Sequence, residues 1–125
     1  MAVRGMINKG TSSNETLPIL FTPLAAPFNL KFVRDGPMVS ITIPPIGFSL
    51  IGPTPNLKSA PIPDQYIPSN KSVGWIIITG PSSQLCNVSI NTDGTITIYY
   101  GPNGASFPVA SGYNTNNFQT VRYLI

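Results

Sequence analysis

Apolar and polar residues alternate along this chain in short runs, and proline or glycine breaks nearly every run. The longest alternation organises the rest. Between Cys86 and Gly101, Val88 and Ile90 precede a turn, and Ile96, Ile98 and Tyr100 follow it. Alternation on both sides of a turn predicts a β-hairpin with one buried face. A two-residue loop at Asp93-Gly94 pairs Ile90 with Thr97 and mixes apolar with polar residues on one face. A three-residue loop, Thr92-Asp93-Gly94, instead pairs Ile90 with Ile96 and Val88 with Ile98. It also puts Gly94 at the loop position that needs a left-handed backbone. A one-residue slip turns the apolar set out to water, so register selects the longer loop. Asn87, Ser89, Thr95, Thr97 and Tyr99 then share the other face.

Phe28 to Ile43 predicts a second hairpin. Phe28, Leu30 and Phe32 alternate, Arg34-Asp35-Gly36-Pro37 turns, and Val39, Ile41 and Ile43 alternate back. A four-residue loop pairs Phe32 with Val39, Leu30 with Ile41 and Phe28 with Ile43, all on one face. Ile46, Phe48 and Leu50 form a further short strand, and residues 52–72 a long proline-spaced connection. Such crossovers are typical of Greek-key and jelly-roll topologies. Val73 to Thr79 is apolar on both faces, which places it centrally or against a neighbouring subunit. Ser106 to Ala110 reads as a short strand bent at Pro108, Gly112 to Asn117 as an asparagine-rich loop, and Phe118 to Ile125 as a final strand tied into the core.

Ahead of these, residues 1–16 are polar and patternless, which predicts a mobile lead-in. Residues 17–27 read as extended, because their prolines hold the backbone in β or polyproline geometry. The expected organisation is thus a lead-in and extended segment over 1–27 and one head domain over 28–125. The fold class is all-β, an antiparallel sandwich or jelly roll of about eight short strands.

Composition narrows the setting. The chain has 125 residues, of which 42% are hydrophobic and only 9% charged, against ~25% charged in ordinary soluble domains. Neutral polar residues must therefore carry solubility, which suits an exposed particle or extracellular protein better than a cytosolic enzyme. The net charge of +3 comes from scattered basic residues, whereas nucleic-acid binding needs them gathered on one face. No run resembles a secretory signal or reaches the ~20 apolar residues of a membrane span, so neither nucleic acid nor membrane insertion is expected.

Candidate chemistry is sparse. Histidine is absent, and the acidic residues are Glu15, Asp35, Asp64 and Asp93, three of them in predicted turns where Asp bonds backbone. No catalytic residue, metal site or cofactor is assigned. The lone Cys86 reads as a small buried hydrophobe. Asn14, Asn70 and Asn87 match the glycosylation acceptor pattern, as chance allows in a chain this rich in Asn, Ser and Thr. The loop holding Tyr113, Asn114, Asn116 and Asn117 has the ring and amides to bind a sugar. Its alternative reading is a solvated turn.

Three phrases carry a resemblance: Ile62 to Ser69, Asn91 to Tyr99, and Phe107 to Gly112 leading into Val121 to Ile125. Together they resemble the C-terminal head domains of viral and bacteriophage fibres and of collagen-like surface proteins, which are trimeric jelly rolls similar to the C1q and tumour-necrosis-factor fold. The resemblance covers about residues 38–125. Such heads often read Leu-Pro-x-Arg-Phe-Arg-Pro where this chain keeps Tyr66 and Pro68 but has Gln65 and Ile67 in place of the arginines.

The resemblance implies a C1q-like homotrimer capping a stalk on a virion surface or outside the cell. Its distal loops would meet a host glycan or protein receptor. The residues expected at the shared axis are Val73, Trp75, Ile77, Tyr99 and Tyr123. A second reading keeps the trimer as a structural or decoration module with no ligand.

Overall fold

The computed structural model describes residues 12–125. In chain order its strands are β1 (Ser13–Ile19), β2 (Phe21–Thr22), β3 (Phe28–Asp35), β4 (Met38–Ile43), β5 (Gly47–Leu50), β6 (Leu57–Ser59), β7 (Ser72–Ile78), β8 (Gln84–Ile90), β9 (Ile96–Ile98), β10 (Ala110–Asn114) and β11 (Gln119–Leu124). One 3₁₀ turn, Asp64–Tyr66, lies between β6 and β7. A four-stranded sheet in the order β11-β4-β3-β1 faces a five-stranded sheet in the order β2-β6-β9-β8-β7, and β5 pairs with β10 as a separate ribbon. Every strand pairing among the described residues is antiparallel, so the fold is an antiparallel β-sandwich.

The organising hairpin is β8–β9, and its register is the expected one, with Ile90 opposite Ile96 and Val88 opposite Ile98. Gly94 closes the three-residue loop with φ 88° and donates its N–H to the Asn91 carbonyl. The apolar set reaches the core: Val88, Ile90, Ile96 and Ile98 are all buried, and each such side chain contributes about 1.5–3 kcal/mol on leaving water.

The polar face differs from expectation, because Ser89, Thr95 and Thr97 are buried too. Ser89 and Thr97 lie in one cross-strand row between Val73 and Lys58. Asn91 bonds the hydroxyls of Thr95 and Thr97, so the small polar groups are satisfied where they are covered.

β3 and β4 form the second hairpin with a tighter turn than expected. Asp35 pairs with Met38 across Gly36-Pro37, and Phe32 meets Ile41 rather than Val39. The shift is two residues, which leaves every side chain on its original face. Hydrophobic pattern alone therefore does not separate the two registers. The Arg34 Nε–H bonds the Gly36 carbonyl at 2.8 Å and helps hold the shorter turn.

Four segments depart further from the sequence reading. Residues 13–16 are not a mobile lead-in: β1 pairs with β3 from Ser13 to Ile19. Its inward positions are Ser13, Glu15, Leu17 and Ile19, half of them polar, which hides the alternation. Pro18 is tolerated there because β1 is an edge strand. The remaining lead-in, 1–11, lies outside the described residues. Within the long connection, β6 bridges β2 and β9. Finally, the strand expected at 106–110 lies instead at Ala110–Asn114, so it takes in the first half of the expected 112–117 loop, and of the two places expected for Val73 to Thr79 the central one is excluded, since β7 is an edge of its sheet.

Register also sorts the two ends of the sandwich. Ser13 pairs with Arg34 and Leu124 with Met38, so the start of β1, the β3–β4 turn and the finish of β11 share one end. The turn at 91–95 joins them, since Ile62 N–H bonds the Gly94 carbonyl and the Gln65 carbonyl accepts from Arg34. Ile19, Phe28, Ile43 and Gln119 mark the opposite end, together with the loops around residues 22–28, 44–46 and 115–118.

Candidate interaction surface

The asparagine-rich loop does not present the ring expected of it. Tyr113 is fully buried, stacked on Phe48 at 5.1 Å and edge-on to Phe107 and Tyr100. Its hydroxyl donates to the Pro108 carbonyl, and burial raises its pKa. The cause is register: β10 places Tyr113 opposite Phe48 on the inner face. Asn114 and Asn116 are engaged locally, Asn114 Oδ1 accepting from the Asn116 N–H and Asn116 Nδ2 donating to Thr79 Oγ1. Asn117 is exposed. The ring this loop does offer to solvent is Phe118, 72% exposed.

The five residues expected at a shared axis separate into two groups. Val73, Trp75 and Ile77 alternate outward on β7, each close to half exposed, while Ile76 and Ile78 point into the core. Leu85 stands opposite Ile77 on β8 and is as exposed as its neighbour. Its place is readable from parity, since Cys86, Val88 and Ile90 turn inward and Leu85 must turn out. Tyr99 is partly buried just beyond β9, its N–H bonded to the Asn87 carbonyl.

Tyr123 does not belong to this face. It is 6% exposed, and its hydroxyl donates to the Tyr66 carbonyl at 2.7 Å. Burial is the main reason its pKa is raised. A single subunit thus conceals the aromatic that was expected to need a partner.

The two outer faces contrast. On the four-stranded sheet the outward positions are largely Asn, Ser, Thr, Lys and Arg, with Thr42 and Thr120 bonded hydroxyl to hydroxyl at 2.9 Å; its exposed large apolar residues are Met38 and Leu124, paired at one end. On the five-stranded sheet Val73, Trp75, Ile77 and Leu85 make a contiguous apolar stripe at the β7 edge.

Around Tyr66 a polar cluster ties β1 to the 62–68 stretch. The Tyr66 hydroxyl bonds Glu15 Oε2 at 2.5 Å and Ser13 Oγ at 2.9 Å, Gln65 Nε2 donates to the same carboxylate, and the Tyr66 ring stacks on Phe32 at 4.7 Å. Burial first, then the Glu15 hydrogen bond, raises the Tyr66 pKa. The cluster is a clasp between elements. Cys86 is buried with its thiol pushed up to about 11 by desolvation, so it is a protonated core residue at neutral pH. Among the described residues no group of three His, Cys, Asp or Glu side chains is placed to hold a metal, and no helix is long and apolar enough to cross a membrane. No family model matches the chain, and no curated protein matches it either.

Proposed function

We propose that this chain is a non-enzymatic head domain of a homotrimeric fibre or surface protein, a C1q/TNF-like jelly roll displayed on a virion or outside the cell. The observation that carries the reading is the stripe of Val73, Trp75, Ile77 and Leu85, each close to half exposed on one sheet face, while the other sheet face is mostly polar apart from Val33 and the Met38–Leu124 pair at one end. Contiguous apolar surface of this kind marks an interface, and a closed ring of identical subunits is one way to cover it. The arrangement of the ends agrees: β1 enters at one end of the sandwich, and the 115–118 loop with Phe118 stands at the other, where a tethered head meets its target.

Trp75 is the only tryptophan in the chain, so its emission reports directly on the interface. In sedimentation experiments at micromolar concentration the protein should run as three copies, and dilution should shift the emission to the red as the subunits part. Trp75→Lys should give a folded single copy. A wild-type protein that stays a single copy at these concentrations, with emission independent of concentration, overturns the assembly.

Attachment to a host glycan or protein then rests on Phe118 and Asn117 rather than on Tyr113. Binding on a glycan or cell panel that is lost in Phe118→Ala supports it. The second reading, a structural trimer without a ligand, is favoured by the burial of Tyr113, which removes the ring that was to stack on a sugar. Silence across the panel from an intact trimer selects that reading.

A further inference from the structure

The loop that follows β9 is tied at both ends. Tyr100 donates its N–H to the Ala105 carbonyl, and the Gly101 carbonyl accepts from the Asn87 N–H of β8. Between these ties, Pro102 to Ser106 are exposed. Gly104 turns the chain with φ 76°, a conformation that disfavours any residue with a side chain. A Cβ built there meets only the edge of the Tyr99 ring, at 3.9 Å. Backbone conformation, not crowding, therefore calls for glycine. Asn103 is the only asparagine in the chain that precedes a glycine. The side-chain amides of Asn87, Asn91, Asn114 and Asn116 are held by hydrogen bonds, whereas that of Asn103 makes none among the described residues.

We infer that Asn103 is a site of spontaneous deamidation, through ring closure onto the Gly104 nitrogen. That nitrogen gives its proton to a solvent base and attacks Asn103 Cγ. A C–N bond forms, the Cγ–Nδ2 bond breaks, and the departing nitrogen takes up a proton and leaves as ammonia. A five-membered succinimide remains. Water then opens it at either carbonyl. Cleavage between Cγ and nitrogen gives aspartate, and cleavage of the original peptide bond gives isoaspartate, whose main chain runs through Cβ. Water and solvent protons are the only co-reactants. The glycine that the turn requires is also the residue that leaves the attacking nitrogen unshielded.

Asp93-Gly94 could close the same ring by expelling water, and the fold guards it. Gly94 is buried, and its N–H bonds the Asn91 carbonyl at 3.0 Å. Asp93 Oδ1 accepts from the Thr95 N–H at 2.9 Å and from Thr95 Oγ1 at 2.7 Å. A Cβ on Gly94 would lie 2.8 Å from Ile67 Cδ1, so this turn has little room to move. The two glycine turns of the 86–105 stretch thus differ in protection. At Asn103 the product adds a carboxylate and lowers the net charge by one. The charge arises beside Tyr99, which continues the outward row of Asn87 and Trp75.

The test ages the full chain in mildly alkaline buffer, folded and in guanidinium, and follows each site by peptide mass spectrometry with an isoaspartate assay. In the folded protein Asn103 should deamidate at least tenfold faster than any other asparagine among residues 12–125, at a rate close to that of the unfolded chain. Asp93 should isomerise at least tenfold more slowly folded than unfolded. Asn103→Gln, whose longer side chain closes a less favourable six-membered ring, should keep the fold and gain no acidic form at this position. The inference is overturned if folding slows Asn103 tenfold or more, or if another described asparagine reacts as fast. It is equally overturned if Asn103 yields no isoaspartate, since direct hydrolysis without the ring gives aspartate alone.

Discussion

Gln119 holds the backbone of Ile77 with both ends of its amide. Its Oε1 accepts the Ile77 N–H at 2.6 Å, and its Nε2 donates to the Ile77 carbonyl at 2.7 Å. One side chain therefore stands in for a strand, bonding the edge of the five-stranded sheet to the first residue of β11 in the other. Gln119→Ala should cost about 1–2 kcal/mol, since both bonds to Ile77 and the one from Nε2 to the Thr115 carbonyl are lost and water replaces them only in part. Gln119→Glu keeps the acceptor but loses the donor, and should also destabilise. Urea unfolding of the three proteins checks the order, and a wild-type midpoint in both variants would deny the bridge a role in stability.

One residue before Trp75, on the inward side of the same strand, space is the constraint instead of bonding. A Cβ built on Gly74 lies 2.3 Å from Val121 Cγ1, so only glycine lets the two sheets approach this closely at β7 and β11. Gly74→Ala should destabilise by about 1–3 kcal/mol through overpacking. Combining it with Val121→Ala should recover part of the loss, which gives a measurable coupling energy in a double-mutant cycle. Strictly additive losses would place the strain elsewhere.

Alkaline pH should weaken the fold. Tyr66, Tyr113 and Tyr123 all have raised pKa values, with burial the largest cause in each, and the Cys86 thiol is pushed up to about 11. In the unfolded chain the thiol ionises near ~8.5 and the phenols near ~10. Above those values the unfolded chain binds fewer protons than the folded one, so stability is complete at lower pH and falls as pH rises toward the folded values. The decline should begin between about pH 8.5 and 10. Tyr123→Phe should flatten part of it while costing about 1–3 kcal/mol at neutral pH, because the Tyr66 carbonyl loses its buried donor. Stability that is flat to pH 11 would contradict the burial of these groups.

Thiol labelling offers a simple check on the core. Cys86 is fully buried, and its thiol stays protonated in neutral solution. A neutral disulfide reagent should modify it at the rate of unfolding, not at the rate of a free thiol. Labelling that is complete within seconds in native buffer would mean that β8 opens readily.

What the sequence made legible follows the length of each alternating run. The β8–β9 hairpin was readable to the exact pair, because only one loop length turns Val88, Ile90, Ile96 and Ile98 to the same side. For β3–β4 the face was readable and the register was not, since a shift of two residues changes no side chain's exposure. β6 escaped notice because three residues with an outward Lys58 show no period. Tyr113 was misplaced for a tertiary reason: Gly112 and the asparagines around it look like a turn, but pairing with β5 makes them a strand and carries the ring inward against Phe48. At the candidate interface, Val73, Trp75 and Ile77 were visible from the two-faced apolar run, and Leu85 was available from parity. The concealment of Tyr123 depends on Tyr66, 57 residues away in sequence, which no local pattern reveals.

The antiparallel pairing of β1 with β3 has a mechanical consequence. A load applied at Ser13 along the strand axis, away from the sandwich, strains all seven pairs between the two strands together, as when two ribbons are slid past each other. A sideways load would instead peel the pairs apart one after another from the Ser13–Arg34 end. The domain should therefore resist tension far better along β1 than across it, and a leash attached there would hold best when drawn straight.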